Sequence, residues 1–99
     1  MVSKQTLQKY GLTANEWQAM YDKYGGACHA CRKIPPSGKL NVDHKHVKNW
    51  KKLPPEMRKL CVRGLTCFIC NYKLLAKGIS PERLRNVANY LEVSENLNS

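Results

Sequence analysis

Four of the five cysteines in this 99-residue chain fall in two pairs of identical spacing. Cys28-x-x-Cys31 and Cys67-x-x-Cys70 are separated by 35 residues. Two thiolates three positions apart on a tight turn can bind the same metal ion. Two such knuckles complete a tetrahedral four-sulfur site that suits zinc. A lone C-x-x-C could also be a redox motif, but no βαβ pattern surrounds either pair. Disulfides fit poorly, because the cysteine count is odd and nothing marks the chain as secreted. The expectation is one structural Zn2+ per chain, held by Cys28, Cys31, Cys67 and Cys70. His29 lies inside the first knuckle and could replace a thiolate, but four better-placed sulfurs make it a bystander. Cys61, in Leu60-Cys61-Val62, reads as a small buried hydrophobe.

A second cluster, Asp43-His44-Lys45-His46, lies between the knuckles. One reading is a polar, cation-rich strand end. The other is a hydrolytic centre. A carboxylate such as Asp43 is the oxygen ligand that a hard divalent cation needs. A neutral imidazole can take a proton from water near neutral pH. Asn71, next to the last cysteine of the second knuckle, offers another oxygen, and closing four cysteines around zinc would carry it to the middle of the fold. A joint Asp43–Asn71 metal site is then geometrically plausible. The reading has one requirement. Successive side chains of a regular strand point to opposite faces, so the strand must break or bend at Asp43.

The charge balance names the class of partner. Seventeen Lys and Arg against seven Asp and Glu give +10, with a pI near 9.6. Such an excess favours a polyanion, since each neutralised phosphate releases condensed counterions. A merely soluble basic protein would carry its charge evenly, and this chain does not. Lys45, Lys48, Lys51, Lys52, Arg58, Lys59 and Arg63 face a single acid, Glu56, over residues 45–63. From Ser80 onward Glu82, Glu92 and Glu95 outnumber Arg83 and Arg85. The candidate nucleic-acid contacts are Lys45, Lys48, Lys51, Lys52 and Arg63.

These residues need elements to position them. Over residues 1–27 a short helical turn between Ser3 and Tyr10 ends at Gly11. A second helix opens on the capping box Thr13-Ala14-Asn15-Glu16 and carries Trp17, Met20, Tyr21 and Tyr24 on one face, which reads as core. Residues 28–78 hold both knuckles. Pro35-Pro36-Ser37-Gly38 is a turn, Leu40 to His44 alternates like a strand, and Val62 to Leu65 reads as its partner. The stretch from Lys48 to Lys59 reads as a loop with one helical turn at Glu56–Lys59. A helix starts near Cys70 or Asn71 and runs to Gly78. Over residues 79–93 Ser80-Pro81-Glu82 starts a last helix, with Leu84, Val87, Ala88 and Leu91 as its apolar face. Residues 94–99 read as a frayed tail. No apolar run approaches a membrane span and the N-terminus lacks a signal-peptide pattern, so a soluble intracellular protein is expected, with no membrane partner. A single domain this small has a modest core. Zinc offsets that with stabilisation on the order of 10–16 kcal/mol.

The ordered motifs Cys28-x-x-Cys31, Asp43-His44-x-His46 and Val62-Arg63-Gly64-Leu65-x-Cys67-x-x-Cys70-Asn71 resemble the recombination endonuclease VII family, a branch of the HNH or ββα-metal nucleases. The likeness runs from Cys28 to about Gly78, and the last helix is also similar to the family's segment after its nuclease core. The resemblance implies an α+β fold: a small zinc-stabilised ββα-metal domain with flanking helices. It implies Asp43 and Asn71 as ligands of a catalytic Mg2+ or Mn2+, His44 as general base, and His46 as a second active-site residue that orients or contacts the phosphate. The substrate it implies is DNA, duplex or branched. Family members that resolve branched intermediates add C-terminal helices that build an intertwined dimer, so a monomer or weak dimer is expected of this chain. Many relatives are phage-encoded, which implies action in the cytoplasm of a bacterial host.

The expected function is therefore a metal-dependent DNA endonuclease. The alternative is a non-catalytic, zinc-containing nucleic-acid-binding module. Asp43, His44 and Asn71 separate the two, since binding alone needs cations but neither a base nor a pair of hard-metal ligands. A protein-interaction zinc domain would leave the localised basic stretch without a purpose.

Overall fold

A computed structural model describes residues 2–98. Ser3 caps α1 (Lys4–Tyr10) by accepting from the Thr6 N–H, and Gly11 ends the helix with φ 65°. Thr13 and Glu16 close both halves of the capping box that opens α2 (Ala14–Lys23). The first knuckle leads to β1 (Asn41–His44), a 3-10 turn (Trp50–Lys52) and α3 (Pro55–Cys61). β2 (Val62–Thr66) enters the second knuckle. A π-helical segment (Ile69–Leu74), a 3-10 turn (Ala76–Gly78) and α4 (Pro81–Asn98) follow.

Three stretches differ from the sequence expectation. The single helical turn expected at Glu56–Lys59 is a longer helix, α3, because Pro55 at its first position presets the helical φ and α3 runs on to Cys61. Cys61 thus ends a helix and is half-buried, with its carbonyl accepting from the Lys45 N–H at 2.8 Å. The helix expected from Cys70 to Gly78 is a wide turn, in which the Leu75 N–H reaches the Cys70 carbonyl at 2.8 Å, followed by a tighter one. Residue 93 does not end the last helix. α4 continues to Asn98, and no glycine or proline interrupts it. Position 99, the end of the expected tail, lies outside the described residues.

β1 and β2 pair antiparallel, with Asn41 opposite Thr66, Val42 opposite Leu65 and Asp43 opposite Gly64. His44 then pairs with Val62, so Arg63 is an extra residue against the Asp43–His44 step. That two-for-one count is a β-bulge, which bends the strand and re-aims side chains. Beneath the sheet lies a core of Tyr10, Cys28, Leu40, Val42, Leu65 and Cys70. Two of these six are knuckle cysteines, and Cys28 has no exposed surface at all. Trp17, Met20 and Tyr21 from α2 pack against this core, so the aromatic stripe is structural as expected. The apolar face of α4 is another matter. Leu84 is half-buried, while Val87, Ala88 and Leu91 are exposed.

α1 and α3 pack side by side and set the position of Tyr10. The Arg58 guanidinium donates to the Lys9 carbonyl at 3.2 Å and to the Lys51 carbonyl at 2.8 Å, joining α1, α3 and the Trp50 turn. At Gly11 a β-carbon would run into the Pro55 carbonyl, and the residue also holds a left-handed φ. Both effects oppose a side chain there. Gly11→Ala is expected to destabilise the fold by about 1–3 kcal/mol, read as a lower melting temperature.

Candidate functional site

The four knuckle sulfurs all lie within 4.8 Å of one another. Cys31 Sγ and Cys67 Sγ are 4.0 Å apart. Ligands at the usual zinc–sulfur distance sit about 3.8 Å from each other in a tetrahedron, so the cluster fits that ion. The backbone also prepares it for negative charge. Ala30 and Cys31 donate their N–H groups to Cys28 Sγ at 3.4 and 3.5 Å. Burial pushes the Cys28 thiol up, but backbone donors from Cys31, Cys67 and Ala30 outweigh it and bring it down to about 6. Burial and its sulfur neighbours push Cys70 the other way. Four thiolates this close repel one another, and a divalent cation relieves the repulsion.

His29 takes no part in the cluster. Its Nε2 donates to the Met20 carbonyl at 2.9 Å, and its ring stands edge-on to Tyr24. On its other side the ring lies over Gly64, where a β-carbon would come 2.5 Å from Nδ1. Gly64 is thus the residue that lets His29 close over the strand opposite Asp43.

Asp43 is 5% exposed. Its two carboxylate oxygens accept from Arg63, at 2.8 Å from Nε and 3.0 Å from Nη2. The pair lines a cavity of about 170 Å³ together with His29, Gly64 and Thr66. The Thr66 hydroxyl is buried and has no hydrogen-bond partner among the described residues. Asn71 does not share this cavity. It lines a larger one of about 700 Å³ with Asn41, Val42, Tyr10 and Trp17.

His44 occupies an aromatic setting. Its ring stacks on Trp50 with centroids 4.0 Å apart and planes 17° from parallel. Tyr10 is 5.6 Å away and His46 5.3 Å away, centroid to centroid. Burial holds the His44 pKa below its ordinary value, and the neighbouring His46 adds to this. The Asp43 charge opposes the shift without reversing it. The neutral form of the His44 imidazole is thus favoured, with the side chain fixed by packing and the exposed His46 beside it.

The basic stretch divides into two groups. Lys59 pairs with Glu16, Arg58 is bonded to two carbonyls, and Arg63 holds Asp43. Lys45, Lys48, Lys51 and Lys52 are exposed, and none is in an ion pair among the described residues. Sequence reasoning missed Trp50, Tyr10 and Arg58 as the supports of His44. It placed Trp50 in a loop, and no spacing rule pairs a tryptophan with a histidine six residues earlier.

The sulfur cluster leads to a direct expectation. Metal analysis of the folded protein should return one zinc per chain. Strong chelation or Cys67→Ser should unfold the protein, with loss of the far-ultraviolet helical signal.

Comparison with known proteins bears on the whole arrangement. The chain is 37% identical over 70 residues to the Gene 59 protein of Mycobacterium phage D29, covering 70% of this chain and 36% of that protein. It is 35% identical over 66 residues to the Gene 59 protein of Mycobacterium phage L5, covering 66% of this chain and 34% of that one. The chain thus spans about a third of the length of these curated relatives. No solved structure matches it. Among the described residues no helix is long and apolar enough to cross a membrane. The family model for recombination endonuclease VII matches residues 3–93, which takes in both knuckles, the sheet and most of α4. The chain belongs to the recombination endonuclease VII family.

Proposed function

We propose that this protein is a metal-dependent DNA endonuclease of the HNH or ββα-metal type, with a four-cysteine zinc holding the fold. The observation that carries the reading is His44, an imidazole stacked on Trp50 one residue from a buried carboxylate. In this reading β1, β2 and the turn at Ile69–Leu74 are the ββα element. Asp43 and Asn71 supply oxygen ligands to the catalytic cation. The donor chemistry suits a hard cation, since Asp43 is a buried carboxylate, paired here with Arg63, and the Thr66 hydroxyl in the same cavity has no hydrogen-bond partner among the described residues. The chemistry supplied by magnesium or manganese there is stabilisation of charge on the phosphoryl oxygens and on the departing 3′ oxygen.

The residues of the chain do the rest. His44 accepts a proton from water, the water oxygen bonds to phosphorus, and the bond from phosphorus to the 3′ oxygen breaks. The Trp50 stack keeps the ring from turning away, and burial favours its unprotonated form. His46 contacts or orients the phosphate beside it. Lys45, Lys48, Lys51 and Lys52 hold the DNA backbone, and Arg63 binds a phosphate near the cleaved bond. The substrate is DNA, duplex or branched, in the cytoplasm of a bacterium infected by the phage that encodes the protein. Whether one copy or a weak pair acts is a question for sedimentation.

His44→Ala separates chemistry from folding. It should keep its zinc and its DNA affinity, because four sulfurs hold the metal without it. Nicking of supercoiled plasmid with magnesium or manganese should fall by about 10²–10⁴-fold. Protonated histidine cannot accept the water's proton, so wild-type cleavage should fall as pH drops through the His44 pKa. That acid limb should lie below the ordinary imidazole value of 6.5. If wild type fails to cut under every divalent cation tried, the non-catalytic binding module replaces this reading.

The lysines are tested by salt. Each phosphate contact contributes about 0.9 to the slope of log affinity against log salt. Lys51→Gln with Lys52→Gln should lower the slope by about 2 without changing sequence preference.

A further inference from the structure

Arg63 is the extra residue of the bulge, and both of its hydrogen bonds go to Asp43. Each carboxylate oxygen therefore already has a cationic donor. The two partners are unequally exposed. The Asp43 side chain is 6% exposed and the Arg63 side chain 44%. A carboxylate so deeply buried must keep a positive partner. A guanidinium with almost half its surface in water has other choices, and its planar fork fits a phosphate as well as it fits a carboxylate.

We infer that Arg63 is a placeholder, which occupies Asp43 until DNA arrives, then moves to a backbone phosphate and releases the carboxylate to the divalent cation. The inference rests on the reading of Asp43 as a cation ligand. Arg63 and a divalent cation compete for the same two oxygens and repel each other across them. DNA draws Arg63 off, because it offers oxyanions beside the strand. The cation and DNA thus favour the same arrangement, in which Arg63 has left Asp43. Each must then strengthen the binding of the other by the same factor. The Thr66 hydroxyl stands in the same small cavity, buried and without a partner, as an oxygen that the pair itself leaves unused. In this scheme the hydrolytic centre is completed on DNA and is held closed away from it.

The test measures cation binding rather than cleavage. Manganese is titrated into zinc-loaded protein carrying His44→Ala, so that DNA survives, and free manganese is read by electron paramagnetic resonance. Titrations run with and without a short duplex at fixed ionic strength, with the duplex alone as blank. Adding Arg63→Gln should tighten manganese binding without DNA by about tenfold or more, the size set by losing a charged hydrogen-bonded competitor. The duplex should tighten manganese binding in the Arg63 protein, and most of that gain should vanish in Arg63→Gln. Arg63→Lys keeps the charge without the two-pronged grip. It should fall between the two, and it provides the reading should the glutamine variant not fold. Unchanged manganese affinity in both Arg63 variants, with the site lost in Asp43→Asn, would overturn the exchange and leave Asp43 as a ligand. Full manganese binding in Asp43→Asn would overturn the ligand reading itself, and the placeholder with it.

Discussion

Four sulfurs that must meet at one point constrain everything else in this chain. They join two turns 35 residues apart, and two of them, Cys28 and Cys70, are also core residues. A domain of this size has few large apolar side chains to spare, and the fully buried ones are Leu65 and Cys28. Closing the cluster brings the end of β2 against the first knuckle, where the His29 N–H donates to the Leu65 carbonyl at 2.9 Å. The sheet is consequently anchored at its Thr66 end. Its other end, at His44 and Val62, is where departure from regular pairing costs least, and that is where the bulge lies.

The bulge gives neighbouring residues separate surroundings. Asp43 turns to Arg63 and the small cavity beside Thr66, while His44 enters the Tyr10–Trp50 aromatic cluster. A carboxylate touching the imidazole directly would raise its pKa and favour the protonated ring. Here the Asp43 charge is already balanced by Arg63, and burial dominates at His44. Separation by one bulged step therefore lets a carboxylate and an imidazole that favours its neutral form lie on adjacent residues in different surroundings.

Much of this was legible from residue type and spacing, because those signals are local. The C-x-x-C pairs, the Thr13–Glu16 capping box, the glycine ending α1 and the alternation of β1 each depend on a few adjacent residues. The supports of His44 were not legible in the same way. Tyr10, Trp50 and Arg58 come from three different elements, and they meet only because α1 packs on α3. Cys61, expected as a small buried hydrophobe, is only half-buried, because Pro55 starts a helix that ends on it.

The same logic explains why a net charge of +10 overstates the surface available to a polyanion. Of the seven basic residues between positions 45 and 63, three have partners inside the fold. Arg58 replaces missing donors at two helix ends, Lys59 fastens α3 to α2 through Glu16, and Arg63 neutralises Asp43. These are the three placed on α3 and β2, where packing brings partners within reach. The four lysines on the intervening loop and the Trp50 turn have no such partners among the described residues. Charge on regular elements is consumed in holding the site together. Charge on the connecting segment stays exposed, with no ion-pair partner among the described residues.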